Sequence, residues 1–262
     1  MFGLALQVAI CLEHSTIPPY LTAAWSLTGN DDVVNFITDV AIEEMLHMTL
    51  ACNILNAIGG QPLLNEPKFV PKYPGPLPGT VHTSLSVGIE SFSKSLLRDT
   101  FMVIEEPEVP LAPDAPQQQP TTIGAFYRKL KECITKLKPE DFSGNPEFQV
   151  VKEFGIDSDS SIAVRDAATA SAAIDTIIDQ GEGSPQSILE SERPGEDELA
   201  HYYRFGAILH ERMPVLIGGQ ASYTGASVLV DESKSRRMKP NAKTVDYAGM
   251  PELLAASNFN SA

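Results

Sequence analysis

Glu44 and His47, and far along the chain Glu198 and His201, repeat one pattern: a carboxylate and an imidazole three positions apart, in runs whose apolar residues recur at helical spacing. Residues three apart on a helix share a face. Each copy therefore points both groups where the neighbouring Ile, Val and Phe residues point, into a packed interior. Random placement of the chain's 20 Glu and 5 His would give about 0.4 such pairs, so two copies exceed chance and the surrounding burial pattern must decide. Helix bundles that enclose two metal ions are built this way, with Glu-x-x-His on two helices and one Glu on each of two others.

The apolar stripes supply the remaining helices. Leu6, Ile10, Ile17 and Ala24 predict a helix from Phe2 to about Leu27, with Glu13 in the slot between Ile10 and Ile17 and Tyr20 on the same line. Pro18 removes a backbone donor, which predicts a kink just after Glu13. A turn at Gly29-Asn30-Asp31, with Asn30 or Asp31 as cap, leads into a second helix from about Asp32 to Ile58, stopped by Gly59-Gly60. Its stripe reads Ile37, Val40, Glu44, His47, Ala51, Ile54, Ile58. Residues 60–121 hold 11 of the 20 prolines, so they form a long connection, with a strand-like alternation at His82 to Ile89 and a modest helix at Ser91 to Ile104. Thr122 to Leu137 is another amphipathic helix, with Ile123, Phe126, Leu130, Cys133 and Leu137 as its expected buried line. Val164, Ala168, Ser171, Ile174 and Ile178 mark a helix over Ser161 to Gln180, and one further step along that stripe reaches Glu182. Glu198, His201, Phe205 and Ile208 mark the last, from about Glu196 to Pro214; beyond it the chain is mixed and polar with no strong period.

Four stripes thus carry Glu13; Glu44 and His47; Glu182; and Glu198 and His201 where core residues belong. Burying four carboxylates costs many kcal/mol unless they are paired or bound to cations. Two divalent metals meet that requirement, and an oxygen and imidazole set without thiolate suits iron, with manganese as the alternative. Glu182 is the weakest member, because its flanking glycines could simply end the helix. Tyr20, the candidate catalytic residue, either donates to the site or fills the core. Glu43 and His14 fall off the stripes, His210 suits a helix C-terminus, and His82 reads as structural. Cys11, Cys52 and Cys133, an odd count at wide spacing inside helical patterns, read as reduced, buried thiols.

A net charge of -15 repels phosphate backbones and anionic lipid, so neither nucleic acid nor membrane is expected as a partner. No apolar run approaches the ~20 residues of a membrane span, and no basic region precedes Leu4 to Leu12. The expectation is a soluble, cytoplasmic protein.

At these residues the chain resembles a known group. Glu13-His14-Ser15-Thr16-Ile17-Pro18-Pro19-Tyr20, Glu43-Glu44-Met45-Leu46-His47 with Asn56-Ala57-Ile58-Gly59-Gly60, Thr122-Ile123-Gly124 through Phe126-Tyr127, and Gln180-Gly181-Glu182-Gly183 are similar to the ferritin-like domain of the iminophenyl-pyruvate dimer synthase family. The likeness covers about residues 1–215. It implies an all-α, ferritin-like four-helix bundle in which residues 60–121 are an enlarged crossover and 122–137 an accessory helix; the residues themselves read as an irregular extension over 216–262. It also implies secondary metabolism, in which larger relatives couple two aryl-pyruvate imines oxidatively; those relatives carry further, haem-associated regions that this stretch does not contain.

Together these readings lead to a non-haem di-iron oxidase or oxygenase that takes dioxygen and a small organic substrate, and a homodimer is admitted. Two rivals stand beside it. One is a binding or scaffold bundle without a working metal centre, in which the same carboxylates and imidazoles form buried ion pairs. The other is an iron-handling ferroxidase, which the bulky crossover disfavours as a cage.

Overall fold

The computed structural model describes residues 2–107, 121–151, 162–182, 187–189 and 198–243. Two long helices, α1 (Phe2–Ser26) and α2 (Asp31–Ala57), form an antiparallel pair of about 40 Å at 1.5 Å rise per residue. Lys94–Leu96, a π-helical turn Leu97–Phe101 and Met102–Ile104 follow one another as α3. Next come α4 (Ile123–Ile134), α5 (Ala167–Glu182) and α6 (His201–His210), and then a hairpin of β1 (Val215–Ile217) and β2 (Gln220–Ser222). Among the described residues the regular structure is helical apart from this one small sheet. No helix among the described residues is long and apolar enough to cross a membrane.

The interior is two apolar clusters, one at each end of the α1–α2 pair. One gathers Tyr20, Ala23 and Ala24 of α1, Val33, Ile37 and Val40 of α2, Leu97, Phe101 and Ile104 of α3, and Phe205 and Ile208 of α6. The other gathers Leu6, Ala9 and Ile10 of α1, Leu50, Ala51 and Ile54 of α2, Tyr127 and Leu130 of α4, and Ala170, Ala173 and Ile174 of α5. Against the long pair, α5 therefore covers one half and α3 with α6 the other. The polar stripe residues Glu13, Glu44 and His47 fall at the level between the clusters, where α3 and α5 end and α6 begins.

Several expectations change in detail. α1 runs on through Pro18 and Pro19 as one helix, in keeping with the predicted span, and ends at Ser26. The carbonyl of Ser15, which the missing Pro19 donor would otherwise have satisfied, accepts the Tyr73 hydroxyl at 2.8 Å. α2 stops where expected: Ile58 caps it and Gly59 follows at φ 76°, the left-handed position that favours glycine. Asn30 occupies the N-cap position of α2 without capping, and instead binds the backbone of Asp231 through both ends of its amide, at 2.7 and 3.2 Å. His82 to Ile89 forms no strand; only the isolated bridges Gly75 to Val87 and Val81 to Thr121 occur there. The buried line of α4 is Gly124, Tyr127, Leu130 and Ile134, while Cys133 is exposed, so it shares Leu130 with the predicted stripe and elsewhere lies one position further along. Cys11 and Cys52 are half-buried, and all three thiols are free.

The segment after α6 is less irregular than the sequence suggests. Val215, Leu216 and Ile217 pair with Ser222, Ala221 and Gln220 around Gly218-Gly219, whose φ angles of 60° and 79° fit the two-residue turn that matches strand twist.

Candidate metal centre

Five buried side chains meet at the central level. Glu13, Glu44 and His47 form one group that could hold a metal ion, and Glu44, Glu105 and His201 form a second, with Glu44 common to both. Within each group one ligand atom per residue lies within 4.8 Å of the others. Glu13 and Glu44 are brought together by the packing of α1 on α2. Glu105 caps the C-terminus of α3, and His201 is the first residue of α6.

Each imidazole is held from behind so that Nδ1 faces the carboxylates. His47 Nε2 is 3.0 Å from Gln180 Oε1, and its Nδ1 lies 3.5 Å from Glu44 Oε1 and 3.7 Å from Glu13 Oε2. His201 Nε2 is 2.8 Å from Glu43 Oε2, and its Nδ1 lies 3.0 Å from Glu44 Oε1 and 3.5 Å from Glu105 Oε2. A partner that accepts from Nε2–H leaves a lone pair on Nδ1, the tautomer a metal requires. The two rings stack with centroids 5.4 Å apart. Arg204 extends the second relay: its Nη1 donates to Glu43 Oε1 at 3.0 Å and its Nε to the Leu199 carbonyl at 2.5 Å.

Three hydroxyls orient the carboxylates. Tyr127 donates to Glu13 Oε1 and Tyr20 to Glu105 Oε1, both at 2.5 Å. Thr16 Oγ1 lies 2.6 Å from Glu44 Oε2 and 2.7 Å from the Glu13 carbonyl; its one proton is best used on the charged acceptor.

Burial and crowding make the proton balance unusual. Burial, reinforced by the Glu44 charge, lifts Glu13 to about 7. Burial and Glu44 likewise raise Glu105. Glu44 moves down in spite of its burial, because both imidazoles stand against it. Against the pull of burial, Glu13 and Glu44 raise His47 to about 10, and Glu105, Glu43 and Glu44 raise His201 far above its usual value. Without a cation, protons must supply the positive charge.

One atom tests whether a metal fits. His201 Nδ1 is fully buried and has no hydrogen-bond partner, although it points at two carboxylate oxygens. A buried polar atom left this way costs about 1–3 kcal/mol. A divalent cation between Nδ1 and those oxygens satisfies all three. The set of three carboxylates and two imidazoles, with no thiolate, suits iron or manganese.

The sequence-predicted residues are placed unequally. Glu13, Glu44, His47 and His201 come together, and Tyr20 lies inside the apolar cluster with its hydroxyl on Glu105. Glu182 is the last residue of α5, but its side chain lies outside the described residues. Glu198 is a correction. It precedes α6, its side chain is 68% exposed, and it pairs with Arg204 at 3.2 Å. Leu199 bridges Leu189 and Ala200 N binds the Ile188 carbonyl, so this stretch is extended and the three-residue helical spacing to His201 does not apply. Glu198→Ala is accordingly expected to leave metal stoichiometry unchanged, as measured by elemental analysis of the purified protein.

Glu105 stands where a further carboxylate was expected, and it had a signal: Leu97, Phe101 and Glu105 are spaced by four on one line. Glu43 sits one residue off the α2 stripe and reaches His201 from the side, a contact its own helix could not predict.

Residues 6–210 match the profile of the Ferritin-like family. The chain belongs to the ferritin-like family. It is also similar to a crystallised ferritin-like protein from Caulobacter vibrioides, with a TM-score of 0.59 and 26% identity over 83% of this chain and 73% of that one. No curated protein matches the sequence. Within the matched span of this ferritin-like chain lie all five residues of the two buried groups.

Proposed function

We propose that this ferritin-like protein is a di-iron oxidase or oxygenase that uses dioxygen on a small organic substrate. The observation that carries the reading is the pair of buried groups sharing Glu44, with His201 Nδ1 in the second making no hydrogen bond. Glu13, Glu44, His47, Glu105 and His201 would hold the ions, with manganese as the alternative to iron. Ferrous iron, when bound, supplies the electrons for dioxygen reduction that Glu, His and Tyr side chains cannot.

The protein's own residues then have defined tasks. Gln180 and Glu43 fix the imidazole tautomers, and Arg204 anchors Glu43. Tyr127 and Tyr20 hold one oxygen each of Glu13 and Glu105, leaving the other oxygen toward the centre. Their phenols stay protonated, because burial and the adjacent carboxylates raise both. Tyr20 therefore keeps its proton on Glu105 Oε1 on the α3–α6 side. The apolar clusters on either side exclude water from the chemistry.

The sequence likeness to the iminophenyl-pyruvate dimer synthase group points to imine or amino-acid-derived substrates in secondary metabolism. Anaerobic titration of metal-free protein with ferrous iron tests the reading. Two equivalents bound, followed by oxygen consumption on exposure to air, is the expected result. Binding of less than one equivalent would overturn it, and binding without oxygen consumption would leave a scaffold bundle.

A further inference from the structure

The hairpin after α6 is a built arm, seated on the helix through Tyr223, whose ring stacks on His210 at 4.2 Å, while β1 and β2 themselves stay largely exposed. Its ladder begins where Val228 N binds the Glu211 carbonyl and Arg212 bridges Ser227, continues through Met213 and Ala226, and ends in β1 and β2. Val215, Leu216 and Ile217 are 38, 45 and 60% exposed, so apolar side chains on both faces of β1 meet solvent. Two three-residue strands are marginal by themselves in water and need a third strand or a packed face. Among the described residues the sheet has only these two strands, and none of them pairs with the outer edge of β1.

Natural monomers guard such edges with lysine, proline, bulges or inward charges. Within β1, Val215-Leu216-Ile217 contains neither charge nor proline, and the one such guard on this strand is Pro214, just before it. The whole stretch from Met213 to Val230 is uncharged, in a chain with net charge -15. Two copies of so acidic a chain repel wherever their charges come within a Debye length, about 8 Å at physiological salt. The arm is an exposed place where they can approach without that repulsion. An uncharged arm also offers nothing to select a basic or an acidic partner.

We infer that β1 pairs antiparallel with β1 of a second copy, making a four-stranded sheet across a two-fold axis. Identical strands satisfy that symmetry directly, since each presents the same edge to the other. Leu216 lies at the axis opposite Leu216 of the partner subunit, and Val215 and Ile217 face each other reciprocally. The pairing supplies the strand that the short hairpin lacks and covers the exposed Val-Leu-Ile run.

Analytical ultracentrifugation of the full chain tests this. The expected species at micromolar concentration has twice the 28.3 kDa chain mass. Leu216→Lys sets two like charges against each other at the axis and should weaken self-association by about a hundredfold or more. Trp25→Lys, at an α1 residue 70% exposed and outside the arm, should leave the mass unchanged. Circular dichroism should report the same helix content for both variants, because the arm lies outside the bundle. Backbone amides of β1 should exchange slowly at high protein concentration and quickly on dilution. A monomeric wild-type chain, a dimer indifferent to Leu216→Lys, or a monomer that sediments with neutral lipid vesicles would each overturn the inference.

Discussion

Glu44→Gln is expected to leave the protein binding less than one equivalent of ferrous iron, where the unaltered chain takes up two. Glu44 is the one carboxylate common to both buried groups, and both imidazoles direct Nδ1 to its Oε1, from 3.5 and 3.0 Å. The amide keeps the volume and one acceptor oxygen but removes the negative charge that makes the centre attractive to cations. Loss of Glu13 or Glu105 touches one group only, so those variants should retain up to one equivalent. The same substitution affects the metal-free protein. There Glu44 is the counter-charge of two imidazoles, and breaking a buried ion pair by removing one partner costs about 3–5 kcal/mol. Glu44→Gln should therefore lower the melting temperature even in the presence of a chelator. Elemental analysis after anaerobic loading, with calorimetry on the chelated protein, reads both effects. Retention of two equivalents by Glu44→Gln would mean that the ions sit elsewhere.

The first half of this centre was legible because its helices are regular. α1 and α2 keep their period through residues 13 and 44–47, so a carboxylate on an apolar stripe could be read as an inward-facing group. The reading failed where the backbone departs from the α period. Glu198 and His201 look like a second copy of the motif, yet the chain at Leu199 is pinned to Leu189 and the helix begins only at His201. Glu105 follows a π turn inside a proline-rich connection, where periodicity is least informative. Tyr127 is not legible as a site residue for a reason of chemistry. A phenol is a poor choice for a fully buried position until its hydroxyl has a partner, and that partner, Glu13, lies 114 residues away. The hairpin was missed although Ile217-Gly218-Gly219-Gln220 is a turn signal. Its strands are too short and too exposed to show an alternating pattern.

Metal-free protein is expected to be most stable near about pH 5 and to lose stability steadily toward about pH 9. Glu13 has a folded value of about 7 against an ordinary 4.5, so the folded state binds more protons than the unfolded chain between those values. That contribution is complete below 4.5 and is lost as pH rises through 7. His47, at about 10 against an ordinary 6.5, acts in the same direction over a higher window: its stabilisation is complete below 6.5 and is lost as pH rises through 10. His201 adds to this fall, its partners raising it likewise. Glu44 is depressed and works oppositely, but its contribution is already complete above its ordinary 4.5 and fades only on acidification. At about 1.4 kcal/mol per pKa unit, Glu13 alone accounts for roughly 3 kcal/mol. That corresponds to about 10 °C for a chain of this size. Bound divalent metal takes the place of these protons, so its affinity rises with pH and the metal-induced rise in melting temperature should grow from pH 5 to pH 9. Differential scanning calorimetry of chelated and manganese-loaded protein across that range checks both slopes. A chelated protein whose melting temperature stays level or climbs between pH 5 and pH 9 would show that the carboxylates and imidazoles at the centre are not held in the protonation states that their burial and mutual contacts require.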